Sequence, residues 1–160
     1  MLAAYQMDGA IRSAVHALKY DGLTAIAPLL GSMLNQVAAL DRIEIDAIVP
    51  VPLHPARFRE RGFNQAELLA SPVAASRRWR LDSGVLRRTR HTPPQVKTGS
   101  EQEREAAMRG AFEAARRMDG EHVLLVDDVV TTTSTVNSAA AALKSAGAGR
   151  VTVLALAREL

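Results

Sequence analysis

The sequence predicts an α/β domain: a mainly parallel sheet of about five strands with helices on both faces. Two observations carry this. The stretches 123–126 (VLLV) and 151–156 (VTVLAL) are apolar almost without interruption, as strands buried on both faces are. Segments with a helical period alternate with such strands, and that alternation belongs to parallel sheets. At 160 residues, 48% hydrophobic and 23% charged, the chain suits a single domain over 1–160 built on one core.

Residues 1–45 read as a helical N-terminal part. In 9–20 (GAIRSAVHALKY), Ile11, Ala14, Val15 and Leu18 share one helical face. A second apolar helix is expected over 24–40, with Pro28 tolerable in its first turn. Residues 46–51 (DAIVPV) read as a short buried strand, and Pro50 and Pro52 mark where its pairing ends or bends. Residues 54–62 (HPARFRERG) read as a loop. A helix follows over 64–79, kinked or broken at Pro72. Strands are expected at 85–89 and 111–113. Between them lie a long loop over 90–100, of the kind that binds or covers ligands, and a short helix over 101–108. The clearest unit closes the chain: strand 122–126, helix 134–146 with Gly147 as its C-cap, and strand 151–156.

Composition removes several function classes. There is no cysteine, hence no disulfide framework, thiol nucleophile or cysteine-ligated zinc in these residues. No apolar run reaches the ~20 residues a helix needs to span a bilayer. The first residues lack the basic-then-apolar pattern of a secretory signal, so a soluble cytoplasmic domain is expected. The net charge of +3 conceals an uneven distribution. Between Arg57 and Lys97, ten Lys/Arg stand against Glu60, Glu67 and Asp82, giving +7 there and −4 elsewhere. Such a field suits a polyanion, either a phosphorylated metabolite or nucleic acid, or else serves as a solvated face.

The string 123–135 (VLLVDDVVTTTST) carries the most chemistry. Ligands of open α/β sheets bind beyond the carboxyl ends of the strands. A helix start there offers unpaired N–H groups and the positive end of the dipole to a phosphate. Hydroxyls of Thr131, Thr132, Ser134 and Thr135 add donors without adding charge. Asp127 and Asp128 suit the vicinal hydroxyls of a sugar and a divalent cation. Adjacent strand residues face opposite sides, so either the chain is already turning at Asp127 or one carboxylate acts from behind. Together these residues describe a sugar phosphate site; the competing reading is a hydroxyl-rich helix cap.

This string resembles the signature with which type I phosphoribosyltransferases bind phosphoribosyl pyrophosphate (PRPP), and the resemblance implies their fold. By it, Asp127 and Asp128 take the ribose and Thr131, Thr132, Thr133, Ser134 and Thr135 the 5-phosphate, within a PRPP-binding core over 46–160. Thr133 stands where that family usually has glycine. Either the phosphate grip is weakened, or Thr133 sits at ordinary negative φ and donates its hydroxyl.

Three further stretches, 5–22, 46–70 and 85–112, make nearly the whole chain resemble the ComF family of competence-associated phosphoribosyltransferase-type proteins. Members often carry a cysteine-rich zinc-binding segment ahead of this domain. These residues lack it, through shortening or because the chain begins after it. The resemblance implies that Val51, Pro52, Leu53 and His54 form a pyrophosphate-facing loop flanked by Arg57 and Arg61. Arg87, Arg88, Arg90 and Gln95 would border a loop that closes over pyrophosphate, in the catalytic role. Mg²⁺ would be held at Asp127 and Asp128. His54 reads as a positioning or surface histidine, Arg59 as a solvent-facing charge, and Lys19, which matches a family lysine, as a helix-surface charge.

The implied reaction is attack of a nitrogen nucleophile on C1 of PRPP with release of pyrophosphate, the arginines and Mg²⁺ stabilising the leaving group. The alternative is a non-catalytic, PRPP-responsive accessory protein of DNA uptake that binds single-stranded DNA. At 4% aromatic residues, platforms for base stacking are few. A signalling receiver domain also carries paired acids, but after its first strand rather than its penultimate one. The acceptor and the oligomeric state stay open, a homodimer included.

Overall fold

The computed structural model describes residues 1–90 and 110–159. Gln95, most of the loop expected over 90–100 and the helix expected over 101–108 lie outside the described residues. In chain order the elements are β1 (Leu2–Gln6), α1 (Gly9–Tyr20), α2 (Ala27–Asn35), β2 (Ala47–Pro50), α3 (Pro55–Arg61) and α4 (Gln65–Arg77). There follow β3 (Arg80–Leu81), β4 (Leu86–Arg88), β5 (Phe112–Ala114), β6 (His122–Val130), α5 (Ser134–Ser145) and β7 (Arg150–Arg158).

Five strands form one parallel sheet in the order β1-β7-β6-β2-β3, while β4 and β5 pair as a separate antiparallel ribbon. The α/β class with a mainly parallel sheet is as the sequence predicts. From β2 the chain crosses to β3 on one side of the sheet, and from β6 it crosses to β7 on the other. The order therefore reverses between β2 and β6, and the crevice beyond their carboxyl ends is where such sheets bind ligands.

Alternation along β6 supplies both cores. Leu124 and Val126 face Val15, Leu18, Leu34, Leu69 and Val73, which come from α1, α2 and α4. Val123 and Leu125 face Val136, Ala139 and Leu143 of α5, together with Leu86 and Phe112 of the ribbon. All of these side chains are buried, so β6 is fixed in register and facing.

Several elements differ from expectation. Residues 1–45 are not wholly helical: Leu2–Gln6 is an edge strand on β7, with Leu2 and Ala4 leaning on the first core. Five residues are too few for a period to show. The helix expected over 24–40 is confined to α2 by short 3₁₀ turns at Thr24–Ile26 and Ala38–Arg42, with Pro28 in its first turn. The expected loop at 54–62 contains α3. His54 caps it, Pro55 opens it, and Gly62 at φ 84° ends it, a set of signals present in the sequence. Helix α4 is not broken at Pro72. The proline ring packs against Gly31 of α2, where a Cβ would come within 2.1 Å of its Cγ.

The expected strand 122–126 runs on to Val130, so Asp127 and Asp128 are strand residues rather than turn residues. Pairing with β7 holds the backbone in place there, Asp127 opposite Ala155 and Val130 opposite Arg158.

Candidate functional site

The loop after β2 is held from three sides. The Val51 amide donates to the Val126 carbonyl at 2.8 Å, carrying the pairing one residue past the strand. The Val51 carbonyl accepts from Asn64 Nδ2 at 3.1 Å. His54 turns its ring back so that Nδ1 accepts from the Ala56 amide at 3.2 Å. That contact caps α3 with the His54 ring. The short helix it caps presents Arg57 and Arg61, four residues apart, on one face.

Leu53, His54, Arg57, Arg61 and Arg88 line a cavity of about 210 Å³. The sequence reading named all five, although they come from two separate stretches of chain. Three further lining residues, Lys19, Tyr20 and Gln65, were not named as site residues. Lys19, Tyr20, Arg57 and Arg61 also line an adjoining cavity of about 230 Å³. Arg61 donates to Gln65 Oε1 and lies over the Tyr20 ring at 5.9 Å. Arg88 lies over the Phe112 ring at 5.5 Å.

Lys19 corrects its reading as a helix-surface charge. Its side chain is only 20% exposed, and Nζ lies 2.6 Å from Asp128 Oδ2. The last turn of α1 brings it there because Leu18 beside it is fully buried in the first core. The available signal was the spacing of Val15 and Leu18, which sets the C-terminal end of α1 against the sheet.

The two acids settle into different contacts while their side chains stay close enough to interact. Asp128 meets Lys19. The charge of Asp127 acts on Arg88. Strict alternation does not hold here, since Val126 and Val129 both pack on the first core and Val130 on the second. Each carboxylate also accepts the next backbone amide, Asp127 Oδ1 from Asp128 at 2.9 Å and Asp128 Oδ1 from Val129 at 2.8 Å. Burial, and then the charge of Asp128, raise the Asp127 carboxyl well above the usual carboxylate range, with Lys19 pulling the other way. Burial likewise lowers the Arg88 guanidinium; Asp127 opposes this and Arg57 adds to it. Of the two geometries the sequence left open, the strand continues.

The hydroxyl run opens α5 beyond the end of β6. Thr133 takes φ −73°, an ordinary helical value, so the position does not require glycine. Its hydroxyl accepts from Asn137 Nδ2 at 3.1 Å instead of capping the helix. Thr131 and Thr133 are exposed, Thr132 and Thr135 half-buried and Ser134 buried, with Thr132 Oγ1 donating to Ser134 Oγ at 3.4 Å. These residues do not line the cationic cavity. Ser134 instead borders a groove of about 670 Å³ between α5 and β5, lined by Phe112, Glu113, Asn137 and small residues. Among the described residues Glu113 is the one charged side chain lining that groove, and it does not favour an anion.

Arg87 is exposed and alternates away from Arg88 along β4, while Arg90 is exposed just beyond it. Neither joins the cavity. The +7 segment is not one field either. Arg77 is engaged by Asn35 and Asp41, and Arg80 pairs with Asp82 and Glu121 at the opposite end of the sheet.

Among the described residues no cluster of three or more His, Asp or Glu side chains could enclose a metal. Mg²⁺ does not require one, being commonly held by one or two carboxylates and the oxygens of a phosphorylated ligand. The Asp127–Asp128 pair beside a cationic cavity fits that donor set, and Lys19 already engages Asp128. Among the described residues no helix is long and apolar enough to cross a membrane.

Comparison with known proteins agrees with this fold. The family model "Phosphoribosyl transferase domain" matches residues 59–159. DNA utilization protein YhgH of Salmonella typhi is 38% identical over 151 residues, 91% of this chain and 66% of that protein. Competence protein F of Haemophilus influenzae is 37% identical over 120 residues, 71% of this chain and 50% of that protein. The chain thus spans no more than about two thirds of these relatives. Among solved structures, glutamine PRPP amidotransferase from B. subtilis superposes with a TM-score of 0.56 at 25% identity, covering 82% of this chain and 26% of that one. UMP synthase of Leishmania donovani shares the fold, with a TM-score of 0.51 at 21% identity over 89% of this chain and 24% of that one. Sequence similarity and topology point the same way: the chain belongs to the phosphoribosyl transferase domain family, among its ComF-type members.

Proposed function

We propose that this domain binds PRPP at the carboxyl ends of β2 and β6, and that the binding serves the handling of single-stranded DNA rather than a committed transfer reaction. One observation carries the binding reading. Lys19, Arg57, Arg61 and Arg88 converge on one cavity beyond β2, and a helix N-terminus rich in hydroxyls opens beyond the neighbouring strand β6. Cations at one end and neutral donors at the other suit a ligand with a diphosphate and a separate monophosphate. In this reading the diphosphate meets the cations, Thr131 to Thr135 take the 5-phosphate, and the carboxylates orient the ribose. Mg²⁺ would be held by Asp127 and the diphosphate oxygens. When bound it would supply charge neutralisation on the diphosphate.

The DNA reading rests on the names of the relatives, a DNA utilization protein and a competence protein. Exposed Arg59, Arg87 and Arg90 offer it phosphate contacts. A thermal melt with increasing PRPP, with and without Mg²⁺, tests the pocket. Specific binding raises the melting temperature as ligand increases. No rise at high ligand would defeat the assignment. Retention of single-stranded DNA across a salt series, with and without PRPP, tests the partner, and undetectable or salt-independent retention removes it.

Transfer is the second reading, favoured by similarity to glutamine PRPP amidotransferase at 25% identity. There a nitrogen nucleophile attacks C1 while the C1–oxygen bond breaks and pyrophosphate leaves with the bonding pair. Arg57 and Arg88 would stabilise the departing charge. Pyrophosphate release in the presence of nitrogen acceptors distinguishes the two readings.

A further inference from the structure

We infer that Lys19, held in place by Asp128, is a specificity-determining residue of this site that grips the diphosphate of the sugar ligand and so selects PRPP over ribose 5-phosphate. The inference rests on the PRPP-binding reading above and assigns it a residue on α1, outside the two signature stretches.

An ammonium has three N–H donors. Lys19 Nζ lies 2.6 Å from the buried Asp128 Oδ2, in an ion pair without hydrogen-bond geometry, so its N–H donors are not committed to that oxygen. Lys19 lines both cavities together with Arg57 and Arg61, so the same ammonium borders the space those arginines face. It therefore touches the ribose-side carboxylate and the anion cavity at once. The arginines reach the cavity from a seven-residue helix, whereas Lys19 rises beside the fully buried Leu18 and is fixed at its tip by Asp128. A cation held in place before the ligand arrives loses little freedom on binding.

The hydroxyl run carries no charge, so it grips the 5-phosphate of either ligand alike. Selection for the added diphosphate must then come from the cations, and the ion pair with Asp128 sets Lys19 in place among them before the ligand arrives.

The test is isothermal titration of the full chain with PRPP, with ribose 5-phosphate and with inorganic pyrophosphate. The variants are Lys19→Met and the double variant Lys19→Met/Asp128→Asn, which removes the buried charge that the single change leaves uncompensated. The readout is the ratio of PRPP to ribose 5-phosphate affinities, which a merely structural role would not move. We expect that ratio to fall about tenfold or more in both variants, and pyrophosphate affinity to fall with it. An equal loss for both sugars, or selectivity regained in the double variant, overturns the inference while the PRPP pocket stands. Failure of the wild type to bind PRPP at all overturns both.

Discussion

Asn64 joins the loop after β2 to the helix behind it: Nδ2 donates to the Val51 carbonyl and Oδ1 accepts from the Ala66 amide, each at 3.1 Å. One buried amide thus caps α4 and pins the chain leading to Leu53 and His54. Asn64→Ala loses both bonds and strands a buried carbonyl, a cost of about 2 kcal/mol. Asn64→Asp keeps the cap but sets a carboxylate oxygen against the Val51 carbonyl. It should be at least as damaging to PRPP affinity as the alanine. Denaturant melts and PRPP titration separate the two effects.

Gly31 allows α2 and α4 to touch. A Cβ there would lie 2.1 Å from Pro72 Cγ and 2.8 Å from the Leu69 carbonyl oxygen. Leu69 and Val73 are fully buried, so α4 cannot recede. Alanine ordinarily favours a helix over glycine by about 1 kcal/mol. At this position overpacking wins, and Gly31→Ala should destabilise by about 2–3 kcal/mol in urea melts.

Asp127 is a buried acid whose charge costs the fold. Burial and the neighbouring Asp128 raise its carboxyl above the usual range, so ionisation at neutral pH costs stability. Asparagine can keep the acceptor for the Asp128 amide without the charge. Asp127→Asn should stabilise the ligand-free protein by about 1 kcal/mol while weakening PRPP binding. A thermal melt with and without PRPP reads both signs in one experiment.

Arg57 and Arg59 lie two residues apart on α3, but only Arg57 lines the cavity. Arg57→Gln should lower PRPP affinity about tenfold, the loss of a charged hydrogen bond. Arg59→Gln should leave it within about twofold while reducing the salt dependence of DNA retention.

His122 stands at the far end of β6, its Nε2 2.9 Å from Thr152 Oγ1. Burial first, then the charge of Arg150, holds its pKa below the ordinary 6.5, against the Glu44 backbone and Asp46 pulling upward. Between that lowered value and 6.5 the unfolded chain binds more protons than the fold. Stability therefore rises with pH through this window and is lost as pH falls below the unfolded value. His122→Gln should flatten the dependence, seen as a smaller difference between urea melts at about pH 5 and about pH 7.5.

The apolar strings VLLV and VTVLAL and the helix between them carried the parallel sheet in plain view, since strands buried on both faces leave no other composition open. The acids and the hydroxyl run were legible because strand end and helix start adjoin in sequence. So were His54, Pro55 and Gly62, which mark a helix that a charge-rich stretch disguised as a loop. A five-residue edge strand gave no period to read.

What tertiary structure alone decided is which charges meet. Lys19 and Asp128 are 109 positions apart, and no local pattern pairs them; the packing of α1 against β6 does. The same packing set Asp128 against Lys19, brought the charge of Asp127 to bear on Arg88, and left Arg87 outside a cavity that Arg88 lines. Local sequence sets period, caps and turns through interactions a few residues long. The electrostatics of the site arise from distances across the sheet, and those exist only once the cores have closed.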